Sequence, residues 1–181
     1  MKILSVLGSP NKNGNTGVLL EEYLKGIKEN HSDIEIKNIF LQDKKTSGCR
    51  GCDACKSGKI DGCIIQDDMN EMYGDIEASE VIVFATPIYF FSMTAQLKSF
   101  IDRMYALDSQ AWRGKKIVLL TTYGGEDEVS SGAINLVNIM KNITDYAGIE
   151  FIQKYGVSTA DYPTSKNEKA LKEVYDLGKE L

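Results

Sequence analysis

The feature that most restricts the fold is a repeated exchange between short apolar runs and segments with helical periodicity. The runs at 2–7, 81–85 and 117–121 have the length and composition of buried strands. Between them, apolar residues recur at the spacing i, i+3, i+4, i+7, which marks one face of a helix. Such periodic faces lie at about 20–27, 69–76, 97–104 and 133–140. Strands and helices therefore alternate along the chain.

The composition of the expected strands predicts their order. The strands at 2–7, 81–85 and 117–121 are apolar, whereas those at 34–38 and 151–157 mix polar and apolar residues. Strands that alternate with helices form a parallel sheet covered on both faces, and its central strands are the most apolar. The pattern predicts an α/β protein with a flavodoxin-like five-stranded parallel sheet, order 2-1-3-4-5, and helices on both faces.

The length of the chain indicates its domain organisation, and its charge restricts the partners that it can bind. A chain of 181 residues favours a single domain over 1–181, with a cysteine-rich insertion at about 41–66 that shows no clear period. The 21 basic and 26 acidic residues give a net charge of −5, which argues against a nucleic-acid partner. The apolar run near residue 2 is too short for a signal peptide or a membrane span, so a cytoplasmic protein without a membrane partner is expected.

The loop after the first strand has the composition of a phosphate site. In sheets of this order, ligands bind beyond the carboxyl ends of the strands near the switch point. Residues 8–16 read Gly-Ser-Pro-Asn-Lys-Asn-Gly-Asn-Thr and lead into a helix, whose first N–H groups favour an anion. Ser9, Asn15 and Thr16 can add side-chain donors. A simple helix cap in a polar turn would give the same pattern, and neither the Walker A nor the dinucleotide fingerprint is present.

Two further loops have the composition of a binding site for a planar ring. Residues 86–93 read Thr-Pro-Ile-Tyr-Phe-Phe-Ser-Met, which is unusually apolar for an exposed loop. Such a loop fits either burial under the core or in a subunit interface, or one wall of a flat heteroaromatic ring. Residues 122–125 could close the other side of that ring. A phosphate at one end and a planar ring at the other predict FMN.

These segments together resemble the iron–sulfur flavoprotein family, a branch of the NAD(P)H-dependent FMN reductases with a flavodoxin-like fold. The resemblance rests on residues 8–16, on residues 86–103 and on four clustered cysteines. It implies contacts from the first loop to the FMN phosphate and from the other two loops to the ring. The expected cofactor-binding residues are Ser9, Pro10, Asn15, Thr16, Pro87, Ile88, Tyr89, Phe90, Phe91, Thr122, Tyr123 and Gly124. It also implies a homodimer or homotetramer with the flavin near a subunit boundary.

The cysteines Cys49, Cys52, Cys55 and Cys63 all fall in one 15-residue window, with the spacing C-x2-C-x2-C-x7-C. Three thiolates at three-residue steps can cover one face of a 4Fe–4S cluster, with a further cysteine as fourth ligand. Structural zinc sites more often use two separated C-x2-C pairs. A 4Fe–4S cluster, zinc and a group of free thiols are the three alternatives. The seven-residue gap before Cys63 is long, so Cys63 fits the role of fourth ligand less well than the other three cysteines fit theirs.

The sequence therefore predicts an oxidoreductase that passes electrons between FMN, a 4Fe–4S cluster and an external donor or acceptor, such as ferredoxin or a small molecule. One alternative is an NAD(P)H-dependent FMN or quinone reductase without a cluster. Another is a flavodoxin-like electron carrier that is not an enzyme. No catalytic side chain is expected, because the redox chemistry belongs to the cofactor.

Overall fold

The centre of the fold is a parallel sheet of five strands in the order β2-β1-β3-β4-β5. The computed structural model describes all residues, 1–181. The strands are β1 Lys2–Leu7, β2 Glu35–Phe40, β3 Val81–Pro87, β4 Lys116–Tyr123 and β5 Glu150–Ser158. The helices are α1 Asn15–Asn30, α2 Met69–Ala78, α3 Ala95–Arg103, α4 Ser109–Trp112, α5 Ala133–Ala147 and α6 Glu168–Lys179. The predicted fold class and strand order are confirmed.

Alternate residues of the central strands point to opposite faces of the sheet and build two separate cores. On one face, Leu4 and Ile82 pack with buried residues of α2, α3 and α5. On the other face, Ile3 and Val83 pack with buried residues of α1 and α6. Burial on both faces is the reason that β1, β3 and β4 are mostly apolar. No helix combines the length and the apolar character needed to cross a bilayer.

Two central strands extend two residues further than the sequence predicts, β3 to Pro87 and β4 to Tyr123. The ladder continues because Pro87 is in register with Thr122, and Tyr123 with Ser158. Pro87, Thr122 and Tyr123 were expected in loops, but they are strand ends. Their backbones are consequently fixed by the sheet, which positions them more firmly than a loop would.

The segment 44–68, called the cysteine loop below, connects the β2 region to α2 and contains all four cysteines. Its only regular structure is a single 3-10 turn at Ala54–Lys56. Four of its residues have a positive φ angle: Gly51, Asp53, Gly58 and Gly62. The missing hydrophobic period in the sequence thus corresponds to a chain that folds without helix or strand.

Candidate functional site

Three loops meet at the carboxyl ends of β1, β3 and β4, and this region is called the carboxyl edge below. The backbone N–H of Gly8 donates to the carbonyl oxygen of Ala85 at 2.7 Å, and the hydroxyl of Thr94 donates to the carbonyl oxygen of Gly8 at 2.5 Å. The N–H of Ile88 donates to the carbonyl oxygen of Thr122 at 2.8 Å. These bonds place the three segments that contain all the predicted cofactor-binding residues side by side.

The first turn of α1 has free N–H groups at this edge. Gly14 is the N-cap residue, and no side chain accepts a hydrogen bond from the turn that follows. The first turn also contains no acidic residue. A Cβ atom at Gly17 would lie 1.8 Å from the carbonyl oxygen of Lys12, so the loop can close against the helix only because residue 17 is glycine. A closed loop with unpaired backbone donors fits a phosphate group.

The three polar side chains expected to bind phosphate have protein partners of their own. Ser9 Oγ donates to the carbonyl oxygen of Asn11 at 3.0 Å and accepts from its N–H. The Thr16 hydroxyl, almost fully buried, lies 2.7 Å from the Thr122 hydroxyl. Asn15 Oδ1 accepts from the N–H of Thr164 at 2.9 Å. These contacts fix the loop and leave the Asn15 NH2 group as a side-chain donor.

The loop after β3 forms a tight hairpin turn at residues 89–92, called the aromatic turn below, with two strained residues. Tyr89 and Ser92 pair through two backbone hydrogen bonds, of 2.9 and 3.2 Å. Between them, Phe90 and Phe91 have φ angles of 47° and 67°, a conformation that bulky residues rarely adopt. Phe90 is 97% exposed. A Cβ atom at Gly132 would lie 2.7 Å from Phe91 Cβ, so α5 begins directly against this turn.

The turn after β4 provides the third side of the edge. Tyr123 is buried, and its carbonyl oxygen accepts from the N–H of Thr159 at 2.7 Å. Burial raises the pKa of the Tyr123 hydroxyl, and the carboxylates of Glu128 and Asp127 raise it further, so the hydroxyl stays protonated. Gly124 is exposed, with no atom within 4 Å of the position of a Cβ. This opening leaves room beside the strand ends.

The four cysteines lie near one another, but the structure does not gather them into a metal site. None forms a disulfide; Cys49 and Cys52 are exposed, and Cys55 and Cys63 are partly buried. Burial raises the pKa of Cys55, and Cys63 and Cys49 are close enough to add to that rise. No group of three potential ligands comes together. The set of four thiols in one loop fits an iron–sulfur cluster by its chemistry.

The two ends of the cysteine loop are joined by a buried arginine. Arg103, 1% exposed, donates from Nη1 to the carbonyl oxygen of Ser47 at 3.0 Å. Its two terminal nitrogens also donate to the two carboxylate oxygens of Asp67, at 2.8 and 3.2 Å. Nη2 donates to the carbonyl oxygen of Ile65 at 3.2 Å. The two ends of the cysteine loop are therefore held together, although its four thiols are not.

One residue of the edge that the sequence analysis did not identify is Thr94. Its hydroxyl accepts from the N–H of Leu97 and thereby caps α3, while it donates to the carbonyl oxygen of Gly8. A threonine just before the first apolar residue of a helical face is a typical N-cap, so the cap was detectable. Its bond to the first loop had no signal in the sequence, because the two residues are 86 positions apart.

Comparison with known proteins identifies the family. The sequence model of the family described as NADPH-dependent FMN reductase matches residues 1–157. The chain belongs to that family. It is accordingly a flavin-dependent oxidoreductase, as the sequence predicts. The family match covers β1 to β4 and all but the last residue of β5, and so includes the three loops of the carboxyl edge.

Several curated proteins that the chain matches are iron–sulfur flavoproteins. An iron–sulfur flavoprotein from Archaeoglobus fulgidus is 30% identical over all of this chain and 79% of its own length. The chain spans only 48–54% of three other curated iron–sulfur flavoproteins that it matches.

Solved structures share the fold. An FMN-dependent NADH-azoreductase from Bacillus anthracis, in complex with FMN, has a TM-score of 0.78 at 16% identity, covering 99% of each chain. An NAD(P)H:quinone oxidoreductase from Methanothermobacter marburgensis has a TM-score of 0.76 at 18% identity, covering 99% of this chain and 94% of that protein. At such identities the likeness extends to the fold alone.

Proposed function

We propose that this protein binds FMN at the carboxyl edge and passes electrons between FMN, a 4Fe–4S cluster in the cysteine loop and an external donor or acceptor. The observation that carries the flavin part is the uncapped first turn of α1, whose Thr16 hydroxyl bonds that of Thr122, while the carbonyl oxygen of Thr122 accepts from Ile88 at the start of the strained aromatic turn. Bound FMN would supply hydride or single-electron exchange, and the cluster one-electron transfer. Two relatives that are 30% and 32% identical to this chain are named iron–sulfur flavoproteins, which supports the cluster.

The chain's own residues have the task of binding and orienting FMN. The first N–H groups of α1 and the Asn15 NH2 group would donate to the phosphate, with Ser9 and Pro10 shaping the loop. Tyr89, Phe90 and Phe91 offer apolar surface to a ring, since all three are more than half exposed. Pro87 and Ile88 fix the start of that turn. Thr122, Tyr123 and Gly124 would form the opposite side, where the open space at Gly124 admits a ring edge.

The proposed cluster ligands are Cys49, Cys52, Cys55 and Cys63. A backbone N–H already points at one of these sulfurs, since Gly51 donates to Cys49 Sγ at 3.4 Å. Such bonds are among the features that tune a bound cluster. The three glycines of the loop that have positive φ angles allow the sharp turns that four convergent thiolates require.

The decisive experiment is anaerobic purification followed by spectroscopy and analysis. We expect flavin absorbance together with about four iron and four labile sulfide per chain. Changing Cys52 to serine should remove iron and leave flavin, whereas changing Ser57, an exposed residue of the same loop, to alanine should alter neither. Flavin without iron or sulfide in the wild-type protein would contradict the cluster, and a colourless protein that binds no added FMN would contradict the entire proposal.

A second candidate is an NAD(P)H-dependent FMN or quinone reductase that uses no cluster. It is favoured by the match of residues 1–157 to the family described as NADPH-dependent FMN reductase. Steady-state oxidation of NADH and NADPH with a quinone acceptor tests it, using a variant with all four cysteines changed to serine. Undiminished turnover in that variant supports the second candidate. A protein that oxidises neither nucleotide is an electron carrier instead.

We also propose that the protein forms a homodimer or homotetramer and that it exchanges electrons with a ferredoxin or a small molecule. Phe90, a large apolar side chain that is almost fully exposed beside the site, supports a subunit contact there. Light scattering of the FMN-loaded protein should give the mass of a dimer or tetramer. A monomer would contradict this assembly.

A further inference from the structure

Arg103 occupies an unusual position for a charged residue. Its side chain is 0% exposed, and its carboxylate partner Asp67 is 11% exposed. A buried guanidinium is costly unless it is paired and its donors are satisfied. Here the two terminal nitrogens bond Ser47 at one end of the cysteine loop, and Ile65 and Asp67 at the other, whereas the buried Nε–H has no partner. One side chain thus closes a loop whose ends are 20 residues apart, a separation also bridged by the N–H of Ser47 donating to Asp67.

The helix that carries Arg103 begins at the proposed flavin site. Thr94 caps α3 and bonds Gly8, and a Cβ atom at Gly8 would lie 2.8 Å from Leu97 Cβ. Arg103 is the last residue of the same helix, which is nine residues long. At about 1.5 Å per residue, α3 spans roughly 13 Å. A single rigid element therefore contacts the carboxyl edge with its first turn and the base of the cysteine loop with its last.

We propose that Arg103 is a positioning residue that fixes the base of the cysteine loop to α3, so that the loop that carries the four thiols starts and ends at a set place relative to the flavin site. This inference rests on the proposed function, because it assigns a purpose to the loop's fixed base. Lysine cannot replace the fork, since it provides a single nitrogen for acceptors on Ser47, Ile65 and Asp67. Midway along the loop, Lys56 is an exposed residue whose Nζ donates to the carbonyl oxygen of Leu107 at 2.7 Å and lies 4.9 Å from the centre of the Tyr105 ring.

Limited trypsin digestion of the FMN-loaded, iron-free chain tests the inference without any cluster. The loop contains exposed cleavage sites at Arg50, Lys56 and Lys59. In Arg103→Met we expect cleavage at these sites to become about tenfold faster, because opening of the loop no longer breaks the buried bonds. Arg103→Lys should resemble Arg103→Met rather than the wild type. Asp102→Asn is the matched control, since Asp102 neighbours Arg103 but pairs with Lys98 at the surface.

A second readout is the iron and labile sulfide that each variant takes up on anaerobic reconstitution. We expect Arg103→Met and Arg103→Lys to retain less than about half of the wild-type iron, with flavin content unchanged. If Arg103→Met does not fold, Asp67→Asn provides the same test, because it leaves the guanidinium without its counter-charge.

Three results would overturn the proposal. The first is wild-type cleavage and iron content in the arginine variants. The second is wild-type behaviour of Arg103→Lys alone, which would mean that charge and not the fork holds the loop. The third is loss of flavin in parallel with faster cleavage at sites throughout the chain, which would show a merely structural role. A wild-type chain that takes up no iron would refute the proposed cluster instead, and digestion would still decide whether Arg103 anchors the loop.

Discussion

Replacing Asn15 by aspartate should weaken FMN binding while leaving the fold intact or slightly more stable. Aspartate has the same shape and keeps the oxygen that accepts from the N–H of Thr164 at 2.9 Å. The change replaces the NH2 group by a negative oxygen in the first turn of α1, which has no acidic residue. A negative charge at a helix N-terminus stabilises the helix by about 0.3–1 kcal/mol. The same charge repels a phosphate bound there, so stability and affinity should change in opposite directions.

The expected loss of FMN affinity in Asn15→Asp can be calculated from Coulomb's law. A unit charge about 6 Å from a phosphate charge, at an effective dielectric constant of about 20, costs roughly 3 kcal/mol. This corresponds to an increase of about 100-fold in the Kd for FMN. Because the site is open to solvent, added salt should reduce the effect.

Fluorescence titration of the flavin-free protein with FMN, at low and high salt, measures the loss. Riboflavin, which has no phosphate, should bind the variant and the wild type equally well. Asn142→Asp, an exposed position in the second half of α5, adds the same charge away from the edge and should change neither affinity. An FMN affinity within about twofold of wild type in Asn15→Asp would refute a phosphate site at α1. Equal losses for FMN and riboflavin would refute charge repulsion as the cause.

Two further predictions concern stability. Gly17→Ala should lower the free energy of unfolding by at least about 3 kcal/mol in urea titrations, because the new methyl group overlaps the Lys12 carbonyl oxygen. Gly74→Ala, with open space at an exposed position of α2, should instead raise it by about 0.5–1 kcal/mol, and two changes of the same sign would contradict this reasoning. Burial pushes the pKa of the Asp67 carboxyl upward, but its bonds to the guanidinium and to backbone N–H groups outweigh this and hold the pKa below its usual range. The stabilisation from Asp67 is therefore present above about pH 4 and is lost as the pH falls through the lowered value, so Asp67→Asn should flatten the acid side of the stability profile. Parallel acid profiles in the two proteins would contradict this.

The strand order was predictable because strands that are buried on both faces are mostly apolar, and the sequence shows which strands these are. β1, β3 and β4 contain few polar residues, since either face of each strand meets a helix layer. The carboxyl edge followed from that order, because parallel strands that lie side by side end at the same edge. The position of the candidate site was therefore accessible from hydrophobic pattern alone.

The polar contacts that shape the site were not predictable. The Thr16–Thr122 bond joins residues 106 positions apart, and the Asn15–Thr164 bond joins residues 149 apart. A hydrogen bond between two residues that are far apart in the chain leaves neither a periodic pattern nor a compositional bias in the sequence, so it cannot be predicted from either. The turn at Phe90 was hidden for another reason, since tight turns with two positive φ angles usually contain glycine or asparagine. Such exceptions to local preference are expected at functional sites, where surrounding structure enforces them.

The two proposed cofactor sites depend on different kinds of support, and this sets an order of assembly. The proposed flavin site includes the strand ends at Pro87, Thr122 and Tyr123, whose backbone the sheet fixes, so we expect it to form before any ligand binds. The cysteine loop has a fixed base, but its thiols are not gathered, so four convergent ligands require the cluster itself to order them. Removing iron with a chelator should therefore leave the FMN content unchanged and make the loop around Cys55 more accessible to a thiol reagent. Loss of FMN together with iron would mean that the loop supports the carboxyl edge, and that the two sites form as one.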